Sequence, residues 1–271
     1  MKTAIIIPAR YGSTRFPGKP LALINGRSML SRVYQKGLNA AANDKSISVM
    51  IATDDDRIAA HAKDIGARCV MTSAECATGS DRVLQAAVNS GESYDFLISL
   101  QGDAPFTPTY VLKALIDTIS DNPKLEVVTP VHRLSWIDLD ALRAAKKSTP
   151  FSGTTCIRNA DGQALWFSKN ILPAIRDEKK MREAGSGASP VWQHMGVYGY
   201  RTDILKHFVK LPQSTYEKLE GLEQLRFLEN GISIQTVEVS AEHGPLQSGI
   251  DSPEDLARAE AMIKQFGDDL S

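Results

Sequence analysis

Cysteine is scarce: Cys69, Cys76 and Cys156 are an odd number, with no CxxC spacing and no histidine pattern beside them. A disulfide framework and a structural zinc site are both excluded, and the three read as ordinary thiols. Long apolar runs are missing as well. Nothing approaches the roughly 18 consecutive apolar residues that a membrane span requires. The start Met1-Lys2-Thr3 is followed by only five clearly apolar residues before Arg10, too few for the core of a secretory signal. The expectation is a soluble, cytoplasmic protein without membrane insertion. Neither sign of charge is in excess: 31 Lys and Arg against 32 Asp and Glu leave a formal net charge of -1. Such balance provides no global field for nucleic acid, so any cationic site has to be local. Internal repeats and low-complexity segments are absent. So is GxGxxG after the first strand, which a Rossmann oxidoreductase would need.

What the chain does have is a loop rich in cations at its amino end. The apolar strand Ala4 to Pro8 runs into Ala9-Arg10-Tyr11-Gly12-Ser13-Thr14-Arg15-Phe16-Pro17-Gly18-Lys19-Pro20. Gly12 and Gly18 let the backbone turn sharply and approach a ligand, while Arg10, Arg15 and Lys19 gather positive charge at the strand's mouth. This is a phosphate-binding loop, but not GxxxxGK[ST], because Pro20 follows Lys19. A polyanion such as a nucleoside triphosphate suits it.

At 271 residues the chain can bury a full core as one catalytic unit. Short β-rich runs alternate with amphipathic ones: Thr3 to Ile7 then Met29 to Ala41, Ile47 to Ala52 then Arg57 to Ile65, Cys69 to Met71 then Ser80 to Asn89, Phe96 to Leu100 then Thr109 to Ser120. That order predicts an α/β fold with a mostly parallel sheet and ligands at the carboxyl ends of its strands. Chemistry then belongs in the loops Arg10 to Lys19, Thr53 to Asp56, Glu75 to Ser80 and Gln101 to Asp103. After about residue 125 the rhythm changes to β-like pieces, Glu126 to Val131, Gly153 to Arg158 and Ala164 to Phe167. The polar run Arg176 to Ser189 reads as a flexible surface loop with little apolar content to hold it. Elements resume over Val191 to Tyr200, Asp203 to Phe208, Gly221 to Glu229 and Ile232 to Val239. Near the end, Ser252 as N-cap, Pro253 and Asp255 mark a helix start, with Asp251 just before the cap.

Asp103 closes the apolar run Phe96 to Leu100. A carboxylate at a strand's carboxyl end, opposite a cationic phosphate loop, is where a hard divalent cation would bridge protein and phosphate oxygens. Magnesium usually takes one or two protein carboxylates, and Asp251 is the candidate for the second. Asp55 and Asp56 read as caps of the following helix rather than as ligands. His61, His132, His207 and His243 read as surface or structural.

The segments IIPARYGSTRFPGKPL, IATDDDRI, TGSDR, LQGDAP, HMGVYGY, LEGLEQLRFLENG and GIDSPEDLARAE extend over nearly the whole chain. Together they closely resemble the 3-deoxy-manno-octulosonate cytidylyltransferase family, the CMP-Kdo synthetases. The resemblance implies a Rossmann-like nucleotide-diphospho-sugar transferase fold with a mostly parallel central sheet and a smaller sugar-binding and dimerisation subregion. Within a single nucleotidyltransferase domain, 1–125 would be the nucleotide-binding half and 126–248 the sugar-binding and dimerisation half, with 249–271 carrying the metal-site Asp and the last helix. It further implies a homodimer that activates an acidic keto-sugar with CTP and magnesium for lipopolysaccharide or capsule synthesis. Carried over by position, Arg10, Ser13, Arg15 and Lys19 would hold the triphosphate. Pro8, Ala9, Thr53, Asp54, Thr78, Gly79 and Ser80, with Arg82 beside them, would hold base and ribose. Magnesium would sit on Asp103 and Asp251, and Lys19, Asp103, Asp251 and Arg15 would carry catalysis. The sugar acid would meet Gln101, Lys169, His194, Tyr198, Glu223 and Gln224.

The match departs on the sugar side. Ala104 stands where the family has Glu in Gln-Gly-Asp-Glu-Pro, Pro150-Phe151-Ser152-Gly153-Thr154-Thr155 replaces Asn-Pro-Asn-x-Val-Lys, and Lys169 replaces the Arg of Phe-Ser-Arg. Arg and Lys are not equivalent in bidentate carboxylate recognition. The acceptor is therefore Kdo, its 8-amino analogue or another ulosonic acid. A nonulosonic acid such as sialic acid ranks lower, because the first loop reads Tyr-Gly-Ser-Thr-Arg and not the Gly-Gly-Ser-Lys type. A catalytically idle nucleotide-binding relative would not need Lys19, Asp103 and Asp251 together.

Overall fold

The computed structural model describes residues 1–12, 16–185, 187–240, 249–250 and 253–266. In chain order the elements begin with β1 Thr3–Pro8, the short pair β2 Leu23–Ile24 and β3 Arg27–Ser28, α1 Met29–Ala41, β4 Ile47–Thr53, α2 Asp56–Asp64, β5 Cys69–Met71, α3 Gly79–Asn89, β6 Phe96–Ser99 and α4 Thr109–Asp121. They continue with β7 Val127–Ser135, α5 Trp136–Ala145, β8 Thr155–Arg158, β9 Ala164–Ser168, α6 Glu178–Glu183 and β10 Ala188–His194. The last are β11 Tyr198–Arg201, α7 Thr202–Phe208, α8 Thr215–Glu220, α9 Gln224–Glu229, β12 Ile234–Glu238 and α10 Pro253–Phe266. These elements fall into two compact units: Met1–Pro123, Val197–Val209 and Leu246–Ser271 in the first, Lys124–Gly196 and Lys210–Pro245 in the second.

In the first unit β5, β4, β1 and β6 form a parallel ladder, and β11 adds to β6 antiparallel. Ala4, Ile5, Ile6 and Ile7 are all buried, the continuous apolar run expected of a strand covered on both faces. Helix α1 lies so close to β4 that a Cβ on Gly37 would come within 2.8 Å of Val49. Ser28 caps α1 through the Ser31 amide, Asp55 caps α2 through the Arg57 amide, and Thr78 with Asp81 forms a capping box on α3. Asp55 thus caps, as its position suggested. The parallel register pairs Pro8 with Ala52 and Thr53 with Met71, which brings the carboxyl ends of β1, β4 and β5 to one edge. The mostly parallel α/β reading matches the observed unit.

The second unit is mixed. β12 runs parallel to β7, β10 is antiparallel to both β7 and β8, and β8 pairs with β9. Here the β-like reading of the sequence omitted α5 and α8. Helix α5 starts on Ser135, whose Oγ accepts the Asp138 amide, and packs its Leu139 and Trp136 against Leu134 and Val191. The expected irregular loop over Arg176 to Ser189 is also corrected, because it contains α6 and the start of β10. Ion pairs supply what apolar residues do not: Arg143 donates to both carboxylate oxygens of Glu178 at 2.7 and 2.8 Å. Arg182 grips Asp140 at 2.7 and 3.0 Å and lies over the Trp136 ring. No helix among the described residues is long and apolar enough to cross a membrane.

Candidate active site

A cavity of about 430 Å³ opens in the first unit, lined by Pro8, Ala9, Arg10, Gly12, Lys19, Pro20, Cys76, Ala77, Thr78, Gly79, Arg82, Gln101, Gly102 and Asp103. Its walls are the loops that leave β1, β5 and β6. The strands deliver these loops with little slack: Ala9 donates to the Ala52 carbonyl at 2.9 Å, and Leu100 to Ile6 at 3.0 Å. Gly102 is pressed on the end of β1, where an added Cβ would lie 2.8 Å from the Pro8 carbonyl oxygen. Only a residue without a side chain lets the Gln101 to Asp103 turn come so near. Gly18, at φ 72°, closes the first loop by donating its amide to the Tyr11 carbonyl at 2.9 Å, and Lys19 opens the short turn that follows.

Arg10, Lys19 and Arg82 face the cavity against the carboxylate of Asp103, a lining suited to a polyanion. Lys19 donates from Nζ to Asp103 Oδ2 at 2.6 Å. The residues proposed for phosphate and for metal thus neutralise each other across the cavity. The main chain of Asp103 is fixed independently: its carbonyl accepts the Ile250 amide at 2.8 Å, and a Cβ on Gly249 would lie 3.3 Å from Asp103 Oδ1. Asp251 follows directly in sequence but lies outside the described residues, as do Ser13 and Arg15.

Arg82 is buried although it is charged. Its Nη1 donates to Thr72 Oγ1 at 2.6 Å and stands 3.1 Å from Asp54 Oδ1, the partner that a buried cation requires. Thr53, Asp54 and Ser80 are not on the cavity wall. Thr53 is fully buried and its Oγ1 accepts the Asp55 amide at 3.2 Å. Asp54 meets the site through Arg82, and Ser80 Oγ lies 3.5 Å from the Tyr200 hydroxyl. Cys76 and Ala77 do line the cavity and were not singled out from the sequence. The signal was the Glu75 to Ser80 loop between β5 and α3. Burial raises the Cys76 thiol above its ordinary pKa, so it is not a ready nucleophile.

The other expected sugar contacts divide between the units. Gln101 and Tyr198 belong to the first, where Tyr198 stacks on Tyr200 at 5.7 Å. Lys169, His194, Glu223 and Gln224 belong to the second. His194 Nε2 is 2.9 Å from Thr129 Oγ1, and its ring meets the Phe167 ring edge-on at 5.1 Å. Burial, assisted by the Lys169 ammonium, pushes the imidazole down to about 3, so it is neutral at physiological pH. In the unfolded chain it takes up a proton near its ordinary 6.5. Between these values the unfolded state binds more protons, so the stability contribution present at neutral pH is lost as pH falls from about 6.5 towards 3. Urea unfolding of His194→Asn should consequently lose less stability between pH 7 and pH 4.5 than the parent, on the order of the linkage expected for one histidine. Equal losses would show that His194 is not the group responsible.

Glu223 stands 3.9 Å from Arg226, whose shorter bonds go to Glu217 at 2.5 and 2.8 Å. Glu223, three residues before Arg226, is therefore its more distant partner. Gln224 is 4% exposed, and its Nε2 has no hydrogen-bond partner among the described residues. An orphaned buried donor costs about 1–3 kcal/mol unless a ligand or water accepts from it.

Comparison with known proteins points the same way. A family model described as cytidylyltransferase matches residues 4–234. The chain is 39% identical to the 3-deoxy-manno-octulosonate cytidylyltransferase of Maricaulis maris over 268 residues, 99% of each chain. It is 40% identical to that of Desulfatibacillum aliphaticivorans over 266 residues, 97% of this chain and 99% of the relative. Among solved structures, CMP:2-keto-3-deoxy-manno-octonic acid synthetase complexed with CTP superposes with a TM-score of 0.82 at 33% identity, covering 98% of this chain and 99% of that one. The phosphate loop, the shared fold and similarity along the full length leave one assignment: the chain belongs to the 3-deoxy-manno-octulosonate cytidylyltransferase (CMP-Kdo synthetase) family, cytidylyltransferases that make a CMP-sugar from an acidic keto-sugar.

Proposed function

We propose that the protein transfers CMP from CTP to the anomeric hydroxyl of 3-deoxy-D-manno-octulosonate, releasing pyrophosphate and giving CMP-Kdo for lipopolysaccharide or capsule synthesis. The observation that carries this reading is the cationic cavity of the first unit, with Lys19 and Asp103, from the loops that follow the adjacent strands β1 and β6, joined at 2.6 Å. No covalent enzyme intermediate is required, because the sugar hydroxyl can attack the α-phosphorus directly; positioning and charge neutralisation supply the rate. In this reading Arg10 and Lys19 bind the β- and γ-phosphates and stabilise the departing pyrophosphate, joined by Ser13 and Arg15. The wall formed by Thr78, Gly79 and Arg82 takes base and ribose, with Asp54 and Thr72 keeping the Arg82 guanidinium in place. Lys169 offers a cation to the acceptor carboxylate, and Gln101, His194, Tyr198, Glu223 and Gln224 offer donors and acceptors to its hydroxyls. Neutral His194 can donate or accept there without repelling Lys169.

The donor set fits magnesium. Asp103 is a hard carboxylate facing the phosphate loop, and its backbone is tied to Ile250, the residue before Asp251. Groups of three or more His, Cys, Asp or Glu suited to a metal are absent among the described residues, but Mg²⁺ binds through one or two carboxylates and completes its shell with phosphate oxygens and water. Asp103 and Asp251 would hold it. Bound there, the ion would neutralise charge on the α-phosphate and lower the pKa of the attacking hydroxyl. CTP also gives Lys19 a second anion and so releases Asp103 from its ion pair. The family likeness further supports a homodimer, which sedimentation equilibrium checks directly.

The test is pyrophosphate release with magnesium across CTP, UTP, ATP and GTP, each paired with Kdo, 8-amino-Kdo and sialic acid. Release with CTP and Kdo is expected. Release only with another acid would reassign the acceptor, and no release with any pair would overturn the reading.

A further inference from the structure

By the family resemblance, Lys169 takes the place of the arginine in Phe-Ser-Arg, and the exchange raises a physical problem. A guanidinium presents a rigid planar fork to a carboxylate, whereas an ammonium is a point charge on a flexible stem and brings no geometry of its own. The backbone of Lys169 sets where that stem starts and the direction in which it leaves the strand. That backbone is held at both ends by charged side chains. The Lys169 amide donates to Glu220 Oε2 at 2.8 Å, while Glu220 Oε1 accepts from Ser168 Oγ at 2.7 Å. The Lys169 carbonyl accepts from Lys146 Nζ at 2.6 Å. Hydrogen bonds with an ionised partner are shorter and about twice as strong as neutral ones, and two of them on one residue fix its main chain firmly.

The two clamping residues also join the segments that surround Lys169. Lys146 Nζ bonds the carbonyls of Ser152 and Gly153 at 2.5 and 2.9 Å, so one ammonium ties the 150–153 turn to the end of β9. Both places are where this chain departs from its relatives. Glu220 is the last residue of α8, and the turn after it carries Glu223 and Gln224. Gln224, at the start of α9, contributes the buried Nε2 that has no hydrogen-bond partner among the described residues.

We propose that Glu220 and Lys146 are positioning residues that orient Lys169 towards the acceptor's carboxylate and thereby set which acidic sugar is accepted. The inference rests on Lys169 meeting the acceptor acid, as stated above. Glu220 aligns the strand end with the Glu223 and Gln224 turn, and Lys146 locks the divergent loop against it. Neither side chain needs to touch the sugar.

The experiment uses the full chain with Glu220→Ala, Lys146→Met, Lys146→Arg and Lys169→Met, reading kcat and KM separately for CTP and the acceptor, with melting temperature recorded for each. For Glu220→Ala and Lys146→Met the acceptor KM should rise about tenfold or more, with the CTP KM within about twofold, the pattern of lost acceptor binding rather than lost fold. Lys146→Arg should recover part of the acceptor KM, because the charge and the donors remain. Acceptor KM, CTP KM and melting temperature all deteriorating together would mean a merely structural role and overturn the proposal. If Lys169→Met raises the acceptor KM but the clamp variants do not, the clamp is wrong and the site reading stands. If Lys169→Met leaves the acceptor KM unchanged, the reading of Lys169 fails and the clamp proposal with it.

Discussion

Asp103→Asn should lower kcat by about a hundredfold or more, the scale on which preorganised transition-state charge stabilisation is lost, with little weakening of CTP binding. Asparagine keeps the size and shape of the side chain, so the turn from Gln101 to Asp103, pinned by Gly102 on Pro8 and by the Ile250 amide, stays in place. What disappears is one negative charge. In the parent that charge is paired with Lys19 at 2.6 Å, and CTP has to draw the ammonium away from it. In the variant Lys19 no longer has the Asp103 carboxylate to leave, so nucleotide binding without metal should be unchanged or tighter. The cation, by contrast, loses a hard anionic ligand that an amide oxygen replaces poorly. Steady-state kinetics across magnesium concentration, together with calorimetric CTP titration in EDTA, separates the two effects. A near-normal rate at saturating magnesium would remove Asp103 from the metal site.

Arg226→Ala should cost on the order of 3–5 kcal/mol of unfolding free energy, the range for breaking a buried ion pair. Arg226 and Glu217 are both 5% exposed and bond bidentately, Nη2 to Oε1 at 2.5 Å and Nε to Oε2 at 2.8 Å. Removing the guanidinium leaves the Glu217 carboxylate buried, with the Ser214 amide donating to it at 3.0 Å. The pair also joins α8 to α9, whose first residue is Gln224. Loss of stability should therefore be accompanied by a raised acceptor KM. Replacing both partners, Arg226→Met with Glu217→Leu, should restore much of the stability, since well-packed apolar residues often replace a buried pair without loss. Urea unfolding of the parent and both variants measures this; a loss under about 1 kcal/mol for Arg226→Ala would show that water or another group solvates Glu217.

The first half of the chain was legible because its elements are local. Buried parallel strands demand apolar runs, the helices between them demand amphipathic ones, and Ser28, Asp55 and Thr78 cap their helices at the points where side-chain chemistry calls for it. The reading of α1 as Met29 to Ala41 coincides with the observed element. Beyond residue 125 the local signals were present but weaker. Ser135 followed by Asp138, and Ser214 followed by Glu217, are helix starts that a β-like rhythm overshadowed. Helix α6 had no apolar signal to read, since Arg143, Asp140 and Trp136 of another helix hold it.

The cationic character of the loop after β1, the glycine at its closing turn and the strand-end position of Asp103 followed from residue order alone, because backbone freedom and charge are properties of a residue and its neighbours. Pairings between distant residues did not. Lys19 with Asp103, Arg82 with Asp54 and Thr72, and Lys169 between Glu220 and Lys146 join positions far apart in the chain. Such contacts leave no periodicity or spacing behind, and only the packing of strands and helices decides which charges meet and which are buried.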